Sequence, residues 1–334
     1  MSAEKPYWLG RKVALTGATG FIGHHLACAL SHAGAHVTAL VRASSRLDAL
    51  NRAAIHSQVA PLDDVDKMTE ASNGASHFFH LAGAVDFSSN PTECQRTNVA
   101  GTMNAYRAAT RAGIPRFIYA SSIVAIGAQK QPVALNEQSQ WNLGPYHVPY
   151  ASSKHDAETY LLGQHSNTDV VIVNPACAIG PDDYSHSEFG TMCKRFWRGR
   201  LPFYSAGGNN FVDVRDVANG MMLAGQLGSP GERYILSGEN LSYADFFQLL
   251  SRVDPQQHKP RRLPIALARF AARISDILPN RRARPYLTRA QARLLGLWFF
   301  YDCGKAKREL GYQFRPVDLS LGDAWAYWMA KKSA

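Results

Sequence analysis

The chain has 334 residues, of which 46% are apolar and 19% charged, and a formal net charge of +10. This composition is typical of a globular protein with one large or two moderate domains. The longest apolar run, residues 294–301, is too short for a membrane helix, and the first eleven residues lack the apolar core of a signal peptide. The five cysteines are widely spaced without a C-x-x-C pair, so we expect a cytoplasmic protein with reduced thiols and no bound metal.

The first half of the chain alternates short apolar runs with helical patterns. The predicted strands are residues 12–16, 36–41, 58–60, 77–81, 116–120 and 169–174. The predicted helices are residues 21–33, 65–72, 98–112 and 150–164. Strands that alternate with helices pair in parallel and are covered on both faces. The expected fold is therefore α/β, a Rossmann-type doubly wound parallel sheet with a smaller, mostly helical C-terminal substrate lobe.

A glycine-rich turn follows the first predicted strand. Gly17, Gly20 and Gly23 are spaced as in a dinucleotide-binding turn. There the first glycine makes the tight turn, the second lets a pyrophosphate approach the backbone, and the third lets helix and strand pack closely. The next helix would present unpaired N–H groups to the phosphates. The predicted dinucleotide-binding residues of this turn are Gly17, Thr19, Gly20, Phe21, Ile22 and Gly23.

The residues after the second predicted strand indicate which dinucleotide binds. Arg42 stands where NAD-binding proteins carry an acid that bonds the ribose hydroxyls, and Arg46 lies one helical turn further on. Guanidinium groups suit the extra phosphate of NADP. We therefore expect NADP(H), with NAD(H) as the alternative, although both arginines could also be ordinary solvated charges. Asp63 is interpreted either as an acceptor for the adenine amino group or as a helix N-cap.

Small residues end the fourth predicted strand. Leu81, Ala82 and Gly83 would let the backbone pass close to the dinucleotide, so they belong to the predicted cofactor site. His80, which precedes them, is interpreted as a packed structural histidine.

Tyr150 and Lys154 are four residues apart in a predicted helix, so they share one face. A neighbouring ammonium and a positive nicotinamide ring would favour the phenolate form of the tyrosine, and the lysine could also hold the nicotinamide ribose. Ser122, at the end of the fifth predicted strand, would bind the substrate oxygen beside the tyrosine, while Ser121 would face the opposite way. We therefore predict that Ser122, Tyr150 and Lys154 are catalytic.

The alternation of strands and helices breaks after residue 175. Two further strands are predicted at residues 211–214 and 233–236, and residues 242–295 and 317–331 are predicted to be mostly helical. We assign two segments to an NAD(P)-binding domain, residues 1–175 and 211–236. The other two form the predicted substrate-binding lobe, residues 176–210 and 237–334.

A basic segment, residues 259–293, contains ten basic residues and one acid, which is nearly the whole net charge. A basic amphipathic helix there would suit peripheral contact with an anionic membrane or an acidic carrier protein. It could equally pack on the lobe with its arginines solvated. No nucleic-acid-binding motif accompanies the charge, so we expect no nucleic-acid partner.

Seven short motifs together resemble the extended short-chain dehydrogenase/reductase superfamily, that is, the NAD-dependent epimerase/dehydratase family. They are TGATGFIG (16–23), HLAG (80–83), NVAGT (98–102), YASS (119–122), YASSK (150–154), NP (174–175) and FVDVRDV (211–217). Residues 231–240 and 301–312 are most similar to the dihydroflavonol reductase-like and 3-beta-hydroxysteroid dehydrogenase-like branch. The resemblance implies the triad named above, Asn98 as a helix residue that supports the lysine, and Pro175 against the nicotinamide amide. It also implies a homodimer built from two helices of each subunit.

The expected function is an NADP-dependent oxidoreductase that interconverts a ketone or aldehyde and an alcohol on a moderately hydrophobic small molecule. The residues expected to face the substrate are Val85, Phe87, Tyr146, Phe189, Phe196, Trp197, Phe203 and Tyr204.

Two other functions stay open. A nucleotide-sugar epimerase would use the same triad and hold a diphosphate through cationic side chains. The candidates for that task are Lys194, Arg195, Arg198 and Arg200. A non-catalytic dinucleotide-sensing protein would commonly lack the tyrosine–lysine pair. Sugar-nucleotide dehydration is disfavoured, because Ile123 and Val124 stand where dehydratases of this superfamily carry acids.

Overall fold

The computed structural model describes residues 6–85, 91–184, 187–201, 203–253, 260–275 and 288–332. Its strands are β1 (Lys12–Thr16), β2 (His36–Val41), β3 (His56–Val59), β4 (His77–His80), β5 (Arg116–Ala120), β6 (Asp169–Pro175), β7 (Cys177–Ile179), β8 (Phe203–Tyr204), β9 (Gly208–Asp213), β10 (Arg233–Leu236), β11 (Glu239–Ser242), β12 (Arg261–Arg262) and β13 (Trp298–Phe299). Its α-helices are α1 (Phe21–His32), α2 (Asp48–Arg52), α3 (Val65–Ala71), α4 (Pro91–Cys94), α5 (Gly101–Arg111), α6 (Pro149–Leu162), α7 (Glu188–Trp197), α8 (Val214–Leu227), α9 (Tyr243–Val253), α10 (Ile265–Ser275), α11 (Arg289–Leu294), α12 (Gly304–Leu310) and α13 (Val317–Lys332). A π-helix (Gln95–Ala100) joins α4 to α5, and 3-10 helices cover Ile123–Ala125 and Gly144–Tyr146.

Seven strands form a parallel sheet in the order β10-β6-β5-β4-β1-β2-β3. The chain starts in the middle with β1, builds outward to β3, and then returns to the other side of β1 with β4. This reversal opens a crevice at the carboxyl ends of β1 and β4, where open α/β sheets bind their ligands. The expected Rossmann-type doubly wound sheet is confirmed.

Neighbouring residues of the central strands enter two different cores, because successive side chains of a strand point to opposite faces. Leu15 and Phe79 pack in the core that includes residues of α1 and α8. Ala14 and Phe78 pack in the core that includes residues of α5 and α6. Both faces of the sheet are thus buried, which explains why these strands are continuous apolar runs in the sequence.

A second, smaller sheet lies in the substrate lobe. In it β9 pairs with β7, β11 and β13, and Phe211 of β9 stacks on Phe246 of α9 with ring centroids 3.8 Å apart. The sequence assigned residues 211–236 to the nucleotide-binding domain and predicted a strand at residues 211–214. The structure pairs β9 within the second sheet, and Val214 already begins α8. A local apolar pattern predicts a strand but does not specify which sheet it joins. The division into two domains stays a prediction.

The chain returns to the central sheet after β9. Helix α8 packs on α1, and β10 pairs in parallel with β6. The sequence missed α2 and the two- to four-residue strands of the second part of the chain, because such short elements carry too little periodicity to be recognised. It also missed the helices α7, α8 and α12.

Parts of the basic segment 259–293 are described, namely residues 260–275 and 288–293. Leu267 and Phe270 of α10 are 55% and 61% exposed. Across the described ranges, no helix is both long and apolar enough to cross a membrane. The membrane, carrier-protein and homodimer contacts stay predictions.

Candidate active site

The glycine turn has the conformation that its three glycines require. Gly17 has a φ of +77°, and a Cβ there would lie 2.6 Å from the Ala82 nitrogen. A Cβ on Gly23 would collide with the Gly17 carbonyl oxygen. Gly20 differs, because a Cβ there would meet only the Gly17 oxygen, at 3.2 Å. The first and third glycines therefore allow the turn itself, and the second leaves open space beside the backbone.

Gly20 is also the N-cap of α1, and no side chain caps this helix end. The N–H groups of the first turn are therefore left for another acceptor, which is the arrangement that binds phosphate at helix N-termini. The turn fits a dinucleotide pyrophosphate. Phe21 is buried, and Thr19 and Ile22 are half-buried. Their contact with a dinucleotide stays a prediction.

The loop after β4 closes against this turn. The Leu81 and Ala82 nitrogens donate to Thr16 Oγ1 at 3.2 and 3.3 Å. A Cβ on Gly83 would lie 3.1 Å from Asn98 Oδ1 and 3.4 Å from Lys154 Nζ. The small residues thus let the loop pass between the glycine turn and the Lys154 side chain, and their contact with a dinucleotide stays a prediction.

His80 is fully buried and has partners on both ring nitrogens, Thr16 and Thr102 at 2.7 and 3.1 Å. Burial, together with the charge of Lys154, lowers the pKa of His80 to about 3. The ring is therefore neutral and structural.

Asn98 lies in the π-helix and is buried. Its side chain accepts from the Ala84 nitrogen at 2.7 Å and donates to the Ala84 oxygen and to Ser153 Oγ, both at 2.9 Å. Asn98 thus joins the loop after Gly83 to α6, the helix that carries Lys154. A π-bulge of this kind is frequent at functional sites.

The three predicted catalytic side chains lie at the carboxyl end of β5. Ser122, Tyr150 and Lys154 are 9%, 7% and 5% exposed. The Ser122 hydroxyl and the Tyr150 phenol share a hydrogen bond. Lys154 Nζ donates to the Ala120 oxygen at 2.8 Å and to the Tyr119 hydroxyl at 3.3 Å. The structure brings the three together, and their catalytic role stays a prediction.

The ionisation of this group differs from the expectation. Burial raises the pKa of Tyr150 to about 12, against the opposing effect of the Ser122 hydrogen bond. Burial lowers the pKa of Lys154 to about 8, against the opposing effects of Glu158 and Cys94. Lys154 is therefore an ammonium ion at neutral pH, while the Tyr150 phenol keeps its proton. The protein's own groups keep Tyr150 a neutral phenol at neutral pH.

The other predicted cofactor residues lie along the same crevice edge. Arg42 directly follows β2, and its backbone forms a turn with Ser45, while the Arg42 and Arg46 side chains are exposed. Asp63 is exposed after β3, but the N-cap of α3 is its neighbour Asp64, which accepts from the Lys67 nitrogen at 3.0 Å. The N-cap interpretation of Asp63 is therefore wrong. Pro175 is the buried last residue of β6.

The residues predicted to face the substrate separate into two groups. Phe196 is buried and stacks on Phe247, and Phe189 packs edge-on against Phe211. Those that belong to or pack against the lobe core are Phe189, Phe196, Trp197 and Tyr204. Val85 and Phe203 are 57% and 49% exposed, Tyr146 ends the 3-10 helix just before α6, and Phe87 lies outside the described residues.

Two residues near Tyr150 were missed in the sequence. Cys177 of β7 lies close enough to raise the pKa of Tyr150 and of Tyr243. Glu158 lies one turn beyond Lys154 on α6 and is buried. A lone cysteine and a helical glutamate carry no local signal, and only the fold shows that they belong to the site. Across the described ranges, no group of three or more potential ligand side chains could hold a metal ion.

The glycine turn, the open N-terminus of α1 and the passage beside Gly83 together fit a nicotinamide dinucleotide laid across the crevice. Within it, Lys154 would reach the ribose and Tyr150 the reacting oxygen of a substrate. Comparison with known proteins identifies the family of the chain. The family model "NAD dependent epimerase/dehydratase family" matches residues 13–237.

The chain is 35% identical over 320 residues to "Putative dihydroflavonol 4-reductase" of Synechocystis sp., covering 93% of this chain and 92% of that protein. It is 31% identical to "Sterol demethylase protein B" of Methylococcus capsulatus, covering 94% and 97%. The crystal structure of gox2253 superposes with a TM-score of 0.85 at 31% identity, covering 96% and 99%. Sugar epimerases also share the fold, at 24% identity or lower. The chain is thus an NAD(P)-dependent oxidoreductase and belongs to the NAD-dependent epimerase/dehydratase family of extended short-chain dehydrogenases/reductases.

Proposed function

We propose that the protein is an NADP(H)-dependent reductase that interconverts a ketone or aldehyde and an alcohol on a moderately hydrophobic small molecule. The observation that carries the proposal is the convergence of the buried Ser122, Tyr150 and Lys154 side chains beside the glycine turn. The names of the two relatives, a dihydroflavonol reductase and a sterol demethylase protein, favour a hydrophobic substrate.

The protonation states suit the reductive direction. When bound, the nicotinamide dinucleotide supplies a hydride to the carbonyl carbon. Tyr150, a neutral phenol at neutral pH, donates its proton to the carbonyl oxygen as negative charge develops there. The Ser122 hydroxyl stabilises the same oxygen by a hydrogen bond. Lys154, with a pKa of about 8, is an ammonium ion at neutral pH and balances the phenolate that is left.

The residues that follow Ser122 and Gly83 are apolar, which favours an apolar substrate. Ile123 and Val124, in the 3-10 helix after Ser122, are both buried and offer no acid or base. Val85 is exposed next to the loop that carries Gly83, and Cys177 adds a thiol whose pKa is raised by burial. Such a surface would bind a ring or an alkyl chain through its apolar area.

Of the cationic candidates for a diphosphate site, Lys194 of α7 is already engaged within the protein. Its Nζ lies 3.1 Å from the centroid of the Trp328 ring. Arg198 and Arg200 are exposed after α7, so the sugar-nucleotide panel below tests them directly. The sensor function is disfavoured because the tyrosine–lysine pair is intact and buried.

The test is NADPH oxidation with a panel of hydrophobic ketones and aldehydes, beside a panel of sugar nucleotides. We expect turnover with the carbonyl panel, and a loss of about 10²-fold or more in Tyr150→Phe, because the proton donor is removed. The matched control is Tyr160→Phe on the same helix, whose ring packs against Tyr106, and it should keep the wild-type rate.

Two outcomes would contradict the proposal. Conversion of a sugar nucleotide without net NADPH consumption would establish the epimerase. A Tyr150→Phe variant that turns over the carbonyl panel at the wild-type rate would remove Tyr150 from the chemistry.

A further inference from the structure

Glu158 is a buried carboxylate that the proposed mechanism does not use. It lies four residues after Lys154 on the same face of α6 and is 2% exposed. A buried carboxylate is costly unless its oxygens are paired. Its partners therefore indicate what it does.

Both side-chain oxygens of Glu158 accept hydrogen bonds, each from a residue on a strand of the central sheet. Asn174 Nδ2 of β6 donates to Oε1 at 2.5 Å, and Arg233 Nη1 of β10 donates to Oε2 at 3.3 Å. Burial raises the pKa of Glu158, whereas Ser121, Arg233 and Asn174 oppose that shift. A group that accepts on both oxygens, one of them from a guanidinium, is a carboxylate rather than a carboxylic acid.

Asn174 connects Glu158 to the predicted catalytic serine. Its side chain is fully buried, and the same Nδ2 group also donates to the Ser122 backbone oxygen at 3.0 Å. The carboxylate thus holds Asn174 against the end of β5, where the Ser122 hydroxyl meets Tyr150. A shift of Glu158 would move that strand end.

The charge of Glu158 also acts on Lys154. The titratable groups that face Lys154 are Glu158 on its own helix, His80 of β4, Tyr119 of β5 and Cys94 of α4. Of these, His80 is neutral and Tyr119 has a raised pKa because it is buried. Glu158 is therefore the carboxylate in this set, and together with Cys94 it favours the ammonium form of Lys154.

We propose that Glu158 is a positioning residue, whose buried carboxylate keeps Lys154 an ammonium ion and, through Asn174, fixes the strand end that carries Ser122. Arg233 compensates the charge of the carboxylate from the edge strand of the sheet. This inference rests on the proposed function, because it assigns a task to Lys154 and Ser122. It adds a residue whose role is electrostatic and structural rather than contact with the substrate.

The direct test is the pKa of Lys154 by NMR, with selectively labelled lysine and Lys154→Arg to assign the resonance. Glu158→Gln keeps the shape and removes the charge, so we expect the Lys154 pKa to fall by about one unit. Glu309→Gln is the matched control, since Glu309 is exposed, bonds Tyr234 next to Arg233 and does not contact the site. An unchanged Lys154 pKa in folded Glu158→Gln would overturn the proposal.

Kinetics separate the two tasks. A lower Lys154 pKa moves the alkaline limb of the pH–activity profile of Glu158→Gln to lower pH. Glu158→Asp keeps the negative charge but shortens the side chain that reaches Asn174. We therefore expect the alkaline limb of its pH–activity profile to stay near the wild-type position. Its kcat should fall, because Asn174 is no longer held in place. A Glu158→Asp profile that shifts as far as that of Glu158→Gln would contradict the charge role.

If Glu158→Gln does not fold, the double variant Glu158→Gln/Arg233→Gln replaces it, because it leaves no unpaired charge at this buried site. Its Lys154 pKa should fall as in Glu158→Gln, because the carboxylate that acts on Lys154 is that of Glu158. A Lys154 pKa that is unchanged in this variant would contradict the proposal. The NMR measurement does not depend on turnover, so a failure of the proposed function appears in Tyr150→Phe, whereas a failure of this inference appears in the Lys154 titration.

Discussion

The proposed choice between NADP and NAD rests on single residues that follow the second strand. Arg42 directly follows β2 with an exposed guanidinium, and Arg46 is exposed four residues later. An acid at the Arg42 position would repel the 2′-phosphate of NADP, whereas a guanidinium forms charge-assisted hydrogen bonds with it. The proposed preference for NADP(H) therefore assigns the 2′-phosphate to side chains that are exposed in the structure.

Arg42→Ala should raise the Kd of NADPH by about tenfold, the loss expected for one charge-assisted hydrogen bond, and leave the Kd of NADH unchanged. Fluorescence titration of both dinucleotides measures the difference. Arg107→Ala, an exposed arginine of α5, is the control and should change neither Kd. An equal rise in the Kd of NADPH and of NADH in Arg42→Ala would show that Arg42 does not bind the 2′-phosphate.

At the scale of an element, the glycine turn between β1 and α1 has two separate tasks. Gly17 and Gly23 make room for the chain itself, as their blocked Cβ positions demonstrate. A Cβ on Gly20 would meet only the Gly17 oxygen, at 3.2 Å. Gly20 is also the N-cap of α1, and no side chain caps that end of the helix. One motif thus serves both folding and ligand binding, and its members should respond differently to the same substitution.

Gly23→Ala should lower the free energy of unfolding by about 1–3 kcal/mol, the cost of overpacking, because its Cβ meets the Gly17 oxygen. Gly20→Ala should change the free energy of unfolding by less than about 1 kcal/mol and still weaken dinucleotide binding. Urea unfolding together with NADPH titration compares the two. Equal loss of stability in both variants would contradict this division.

At the scale of the whole molecule, a partly buried ionic cluster joins the end of β9 and the start of α8 to helix α13. Asp213, the fully buried last residue of β9, caps α8 and accepts from Ser320 of α13 at 2.7 Å. It also pairs with Arg215, which reaches Asp323 of α13 at 2.6 Å. Burial alone would raise the pKa of Asp213, but the hydrogen bonds from Arg215 and Ser320 lower it below its ordinary value.

Asp213→Asn should therefore lower the free energy of unfolding by about 3 kcal/mol at pH 7, as expected when one partner of a buried pair is removed. A carboxylate with a lowered pKa stabilises the fold above its unfolded pKa of about 4 and loses this effect as the pH falls through its folded value. Urea unfolding should show that the free energies of unfolding of Asp213→Asn and the wild type become more similar as the pH is lowered from 7 to 3. Asp318→Asn, exposed at the start of α13, is the control, and a difference independent of pH would refute the charge argument.

The sequence by itself determined the elements whose signal is local. The bounds of β1, β2 and β5 were predicted as the structure has them, because strand periodicity and the flanking turns are written in neighbouring residues. The glycine turn and the shared face of Tyr150 and Lys154 follow from spacing alone, and the fold confirms that these elements meet at one crevice.

Only the tertiary structure decided what depends on distant segments. It placed β9 in the second sheet, brought Arg233 and Asn174 onto Glu158, and kept Tyr150 a neutral phenol. Sheet membership, burial and charge compensation each depend on residues that are far apart in the chain. A local sequence pattern does not include those residues, so the environment of a side chain is known only from the folded structure.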